Sequence, residues 1–153
     1  MTDTKTPAPD FTLPQDGGDP VTLSDLRPSP VVLFFYPKDN TPGCTTEAIG
    51  FSEALAEFDA LGVKVFGVSK DSITSHEKFR AKKELSVPLL SDADSDLSER
   101  LGVWQEKSMY GKTFWGIVRS TFLIDGEGNI VREWRKVKVK GHVEDVLEAA
   151  RAL

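Results

Sequence analysis

The sequence holds one cysteine, Cys44, and sets it inside FFYPKDNTPGCTTEAIGF, residues 34–51. The segment passes from an apolar, strand-like run into a helix-like one, so the thiol stands at the joint between them. Thr41-Pro42-Gly43 reads as a helix start: threonine is a good N-cap, and proline is tolerated at the first helical position, where its missing N–H costs nothing. Cys44 then falls in the first turn, where unpaired backbone N–H groups and the positive end of the helix dipole favour an anion. Thiolate is the nucleophilic form of cysteine, so the placement suits a reacting sulfur. Free cysteine is also among the most buried residue types, and inert packing is the competing reading. A lone cysteine excludes an internal disulfide.

To place such a thiol the chain needs a strand leading in and a helix leading out. VVLFFY, residues 31–36, is a continuous apolar run of the kind buried on both faces of a sheet. Ala48, Phe51, Leu55 and Phe58 recur at spacings of three and four, which predicts a helix over 45–61, closed by Gly62. Strand patterns at 63–69 and 87–92 alternate with helical ones at 73–85 and 96–103. Strands at 120–125 and 130–139 flank a Gly-rich turn as a hairpin, and a helix over 143–153 closes the chain. Residues 10–14 and 21–26 around a Gly/Asp/Pro turn predict an N-terminal β-hairpin. Crossover helices require parallel strands and hairpins require antiparallel ones, so the order predicts an α/β fold with a mixed central sheet flanked by helices.

The 153 residues suit one domain, 1–153, and 39% hydrophobic with 28% charged residues exclude a disordered or fibrous chain. A formal charge of −5 argues against nucleic acid or an anionic membrane as main partner. MTDTKTPAPDFTLP lacks the basic start and apolar core of a leader, and no run approaches a membrane span, so a cytoplasmic location is expected. His76 and His142 stand apart, with no carboxylates clustered at ligand spacing, so no metal is expected, and His76 reads as a local hydrogen-bonding residue of its helix. WRKVKVK, residues 134–140, reads as a half-buried strand with a solvated lysine face. Trp104, Tyr110, Phe114 and Trp115 read as core rather than as the rim of a pocket.

Pro37-Lys38-Asp39-Asn40-Thr41-Pro42-Gly43-Cys44 resembles the Pro-x-x-x-Thr-x-x-Cys signature of the peroxiredoxins, thiol peroxidases on a thioredoxin-like fold. The likeness extends over nearly the whole chain, including VFGVSKDSITSHEKFRAKKEL, PLLSDADSDLSERLGVW and MYGKTFWGIVRSTFLIDGEGNIVREWRKVKVKGHVEDVL. It looks like the bacterioferritin-comigratory, or Q-type, branch. The resemblance implies that Cys44 is the peroxidatic cysteine, that Thr41, Pro37 and Arg119 complete the catalytic set, and that no cofactor is needed. Peroxide would be bound by Thr41, Arg119 and the backbone N–H groups of Gly43 and Cys44, with Pro37 closing the pocket against water. Such donors lower the barrier by stabilising negative charge on the leaving oxygen, and a forked guanidinium can hold thiolate and peroxide together. Without the resemblance, Arg119 reads as a solvated charge ahead of a strand. Glu47 reads as a first-turn carboxylate that suits the helix dipole, with support of Arg119 as a lesser role.

Many Q-type members carry a second, resolving cysteine five residues after the first; Ile49 stands there in this chain. Five helical residues rise about 7.5 Å, beyond the roughly 7 Å limit for Cα atoms in a disulfide, so a pair at that spacing must unwind the helix. With no other cysteine, a Cys44 sulfenic acid needs an external thiol, which would be thioredoxin, glutaredoxin or a small thiol. The resemblance allows a monomer or a homodimer. A reading from another class is a thioredoxin-like redox sensor or binding module, in which Cys44 forms lasting mixed disulfides with partners. A disulfide oxidoreductase is disfavoured by the absence of a Cys-x-x-Cys pair.

Overall fold

The computed structural model describes residues 6–153, so the first five residues of the segment read as leaderless lie outside it. Strand β1 (Thr6–Pro7) precedes the hairpin of β2 (Thr12–Gln15) and β3 (Gly18–Thr22), a short 3₁₀ helix (Leu23–Leu26) and β4 (Val31–Phe35). Helix α1 (Pro42–Ala60), β5 (Lys64–Ser69), α2 (Ile73–Lys83), β6 (Leu89–Ser91) and α3 (Leu97–Arg100) follow. Strands β7 (Trp104–Met109), β8 (Lys112–Ile117), β9 (Ser120–Ile124) and β10 (Asn129–Arg135) lead to α4 (His142–Arg151).

Eight strands form one sheet in the order β1-β10-β9-β4-β5-β6-β2-β3. The β4–β5 and β5–β6 pairs are parallel, while β9–β4, β10–β9, β2–β3 and β2–β6 are antiparallel. This is the mixed sheet with an N-terminal hairpin that the sequence predicts. A run of five apolar residues can be wholly buried only where both faces of a strand are covered, and no residue of β4 is more than 1% exposed. Its even-numbered side chains, Val32 and Phe34, enter a core with Phe51, Phe58 and Val146 from α1 and α4. Its odd-numbered ones, Val31, Leu33 and Phe35, enter a second core with Leu13, Leu97 and Phe122. Helix α1 ends where Gly62 takes φ 74°, with the Gly62 and Val63 amides donating to the carbonyls of Asp59 and Phe58.

The sequence reading departs from the structure in three places that bear on the site. Strand β10 stops at Arg135 rather than 139: Lys136 takes φ 52°, and the Val137 amide turns to donate to the Arg119 carbonyl at 3.0 Å. The hairpin of β7 and β8 was hidden by its polar composition and turns at Tyr110 and Gly111, whose φ of 52° and 75° suit a two-residue hairpin loop. Its ribbon has no layer over it, so Tyr110 (96% exposed), Trp115 (58%) and Phe114 (44%) are not core, and only Trp104 packs against the second cluster. His76 is fully buried and bonds outside its helix, to the Asp39 carboxylate and the Leu90 carbonyl.

Gly67 on β5 shows how closely side chains of the neighbouring strands β4 and β6 crowd over it. A Cβ there would lie 2.7 Å from Phe34 Cζ and 2.9 Å from Leu89 Cδ2. Gly67→Ala is expected to cost about 1–3 kcal/mol through overpacking, read as a lower urea midpoint with an unchanged slope.

Candidate active site

The end of β4 and the start of α1 set the position of Cys44. Thr41 occupies the N-cap position with extended backbone, φ −96° and ψ 154°, and its carbonyl accepts from the Thr45 amide at 2.8 Å. Its hydroxyl does not cap the helix but donates to the Lys38 carbonyl at 2.8 Å. Pro42 is the first helical residue, so Cys44 is the third, and its side chain is buried at 1% exposure. Pro37 is exposed, one residue beyond buried Tyr36.

Sheet pairing brings Arg119 to the same place. Strand β9 runs antiparallel to β4 with Ser120 opposite Phe35, so the residue just before Ser120 lies beside the loop leaving β4. Arg119 Nη2 donates to Cys44 Sγ at 3.4 Å, and Nη1 donates to Glu47 Oε1 at 2.8 Å. The guanidinium passes close to Gly43, where a Cβ would sit 3.0 Å from Nη2. Burial opposes the Arg119 charge, but Glu47 and then Cys44 outweigh it and raise the guanidinium above its ordinary value. Arg119 is thus no solvated surface arginine: its side chain is 16% exposed.

Glu47 is not a solvated partner of the helix dipole either. It lies one turn beyond Cys44 with a fully buried side chain, and burial pushes its carboxyl up to about 7 although Arg119 pulls it down. Among the described residues its second oxygen, Oε2, has no hydrogen-bond partner, and it lies 4.0 Å from His142 Nε2. That approach is not an ion pair. His142 Nε2 shares a hydrogen bond with Thr121 Oγ1 at 2.8 Å, and burial first, with Arg119 adding to it against Asp145, lowers the ring to about 4. Lys107 on β7, unmarked by any motif, is the other cation of the site. Burial and the Arg119 charge lower its ammonium while Cys44 acts the opposite way, and its Nζ donates to the Ile117 carbonyl two residues before Arg119.

The residues thus brought together are Thr41, Gly43, Cys44, Glu47 and Arg119. Sequence reasoning missed His142, Thr121 and Lys107, which carry no motif and reach the site through α4, β9 and β7. The linear spacing also hid a group of metal-ligand types: single atoms of Asp39, Asp71 and His76 lie within 4.8 Å of one another. The expectation of no metal rested on the lack of such a group, so that reason does not hold. Each atom is instead engaged by hydrogen bonds within the protein, including Asp71 Oδ2 with the Asp39 amide and the Ser69 hydroxyl.

Residues 4–133 match the AhpC/TSA family. The chain belongs to this family. It is 50% identical over 148 residues to peroxiredoxin Bcp of Xanthomonas campestris pv. campestris, covering 95% of this chain and 92% of that protein. With peroxiredoxin Bcp of Bacillus subtilis it shares 49% identity over 144 residues, 94% of this chain and 92% of the other. The solved structure of Xanthomonas campestris peroxiredoxin Q superposes with a TM-score of 0.88 at 49% identity, over 93% of this chain and 90% of that one. The chain is a thiol peroxidase of the peroxiredoxin type, on the bacterioferritin-comigratory branch and with the thioredoxin-like fold of that group.

Burial of Glu47 has a measurable consequence. Its folded value of about 7 exceeds its ordinary 4.5, so between these limits the folded state holds a proton that the unfolded state has lost. Stability from this group is therefore greatest below about 4.5 and falls as pH rises through about 7. Glu47→Gln is expected to remove on the order of 1–3 kcal/mol of pH-dependent slope over that window, read by urea denaturation at a series of pH values.

Proposed function

We propose that the chain reduces hydrogen peroxide and small organic hydroperoxides by a one-cysteine cycle at Cys44. The contact that carries the reading is Arg119 Nη2 on Cys44 Sγ, with the other arm of the guanidinium held by Glu47. The Cys44 thiolate attacks one peroxide oxygen, the O–O bond breaks, and the leaving hydroxide or alkoxide takes up a proton, so sulfur becomes sulfenic acid. Arg119 stabilises the thiolate and the charge growing on the leaving oxygen, because its donors are fixed before reaction. The Gly43 and Cys44 amides lie in the first turn, among the helix N–H groups without helical partners, and supply further donors. Thr41 has already committed its proton to the Lys38 carbonyl, so its oxygen is free to accept the peroxide O–H. Pro37, in the loop between β4 and α1, would close the pocket against water.

Cys44 is the sole cysteine of the sequence, so a thiol from outside must attack the sulfenic acid, releasing water and forming a mixed disulfide. A second external thiol then frees Cys44. Thioredoxin, glutaredoxin or a small thiol would serve, in the cytoplasm, where thiols are kept reduced. No described helix is long and apolar enough to cross a membrane, which accords with that location. The protein would act as a monomer or homodimer. Activity toward organic substrates draws support from the related Xanthomonas campestris bacterioferritin comigratory protein, whose structures concern alkyl peroxide reduction (48% identity, TM-score 0.87, 93% of this chain and 90% of that one).

Intact mass after one equivalent of hydrogen peroxide should show a single added oxygen that dithiothreitol or thioredoxin clears, with many equivalents consumed per chain. Cys44→Ser is expected to abolish consumption. Arg119→Ala should lower kcat/KM for peroxide by about 10²–10³-fold, the usual loss for one transition-state donor, with an unchanged far-UV spectrum. A lasting partner disulfide without turnover would favour the sensor reading, and wild-type rates in either variant would remove that residue from the mechanism.

A further inference from the structure

The loop that delivers Cys44, residues 36–41, is pinned by buried groups with no part in the chemistry above. Asp39 Oδ1 accepts from the Tyr36 hydroxyl at 2.6 Å, and Oδ2 meets the Ser75 hydroxyl and His76 Nδ1, each at 2.7 Å. The Asp39 amide donates to Asp71 Oδ2 at 2.8 Å. The other ring nitrogen, His76 Nε2, lies 2.9 Å from the Leu90 carbonyl on β6. The His76 side chain is fully buried and that of Asp39 is 4% exposed.

The hydrogen-bond partners on both ring nitrogens favour the charged ring. A carbonyl only accepts, so Nε2 must carry a hydrogen. Asp39 Oδ1 and Oδ2 each accept from a hydroxyl, an arrangement that suits a carboxylate, and against a carboxylate Nδ1 donates as well. An imidazole with both nitrogens donating is an imidazolium. Against an ionised Asp39, a neutral ring would set a lone pair on a carboxylate oxygen or on a carbonyl at hydrogen-bond distance, a costly buried mismatch.

We infer that His76 is a positioning residue for Cys44: held as an imidazolium between Asp39 and the Leu90 carbonyl, it clamps the loop from β4 into α1 in the form that aims the thiol at Arg119. The inference rests on Cys44 being the reacting sulfur. The clamp ties the loop to three elements at once: α2 through Ser75 and His76, β6 through Leu90, and the end of β5 through Asp71, which also accepts from the Ser69 hydroxyl at 2.6 Å. The charged and titratable groups around the ring are Tyr36 and Asp39 from the loop side and Asp71 from the segment after β5. Tyr36 stays a neutral donor, since burial and the Asp39 charge push its phenol well above the usual value. Burial works against the His76 charge, but Asp39, the Leu90 carbonyl and Asp71 outweigh it and raise the ring above its ordinary value. The histidine's contribution to the clamp is therefore fully present below the ordinary value of 6.5 and is lost as pH rises through the raised folded-state value.

The test follows the ring proton and the thiol separately. Nitrogen-edited NMR of the reduced wild-type chain should show both His76 ring nitrogens protonated at pH 6.5, with the ring losing its proton only above that ordinary histidine value. Single-turnover oxidation of Cys44 by hydrogen peroxide should slow at alkaline pH with the midpoint at which His76 loses its proton. His76→Gln should slow oxidation on the order of ten- to a hundred-fold, the scale of a small misplacement of a reacting group, and should erase that alkaline limb. A neutral ring at pH 6.5, or a folded variant with wild-type rate and limb, would overturn the inference. If the variant does not fold, the wild type decides: coincident midpoints uphold the clamp, and a limb with no His76 titration beneath it overturns it. A wild-type thiol left unoxidised at every pH would bring down the Cys44 reading, and this inference with it.

Discussion

The guanidinium of Arg119 divides its donors between a cysteine sulfur and a buried carboxylate, and much of the surrounding structure serves to keep it there. A charge at this depth is tolerable only if paired and hydrogen-bonded. Glu47 supplies the pairing, and the exposed fraction of the arginine is correspondingly small. The constraint spreads outward from that contact. A side chain at residue 43 would crowd Nη2, since its Cβ would lie 3.0 Å away. Strand β10 must break at Lys136 so that the Val137 amide can hold the Arg119 carbonyl. The register of β9 on β4 must put Ser120 opposite Phe35.

Cys44 is held from both directions along the chain, and each anchor contains a buried acid. Downstream, Glu47 sits one helical turn away and binds Arg119; upstream, Asp39 sits in the loop and binds His76. The two acids differ in what surrounds them. Asp39 has hydroxyl and imidazole donors on both oxygens, whereas Glu47 has a donor on only one and leaves Oε2 bare. Full satisfaction favours a single rigid arrangement, and partial satisfaction favours a group whose protonation can change. Two-sided burial of β4 links these anchors, because the strand packs against both cores and ends where the loop begins.

The sequence carried much of this in legible form. An unbroken apolar run told of a doubly covered strand, and Thr41-Pro42 marked where α1 begins. The Cys44 motif drew Arg119 in from 75 residues away, a pairing that local periodicity has no means to express. What stayed hidden shares one physical cause: its meaning lies in long-range contact. His76 looked like one more polar residue of a helix rich in charge, and its importance arises only when α2 docks on β6. Glu47 looked like a first-turn carboxylate because nothing local reports that a sheet loop will cover it. The β7–β8 aromatics looked like core because aromatic side chains usually are, and only tertiary structure shows that no layer lies above that ribbon.

At position 49 the structure has a half-buried isoleucine packed on the core beneath α1, and the helix runs unbroken past it. A second thiol tethered on the same short stretch would meet the oxidised sulfur at an effective concentration of about millimolar, whatever the surroundings. Ile49 removes that tethered supply. The reductive half of the cycle then becomes an encounter between molecules, its pace proportional to the concentration of free thiol around the protein. A sparing local thiol pool would hold the sulfur in its oxidised form for longer, and a rich one would return it at once.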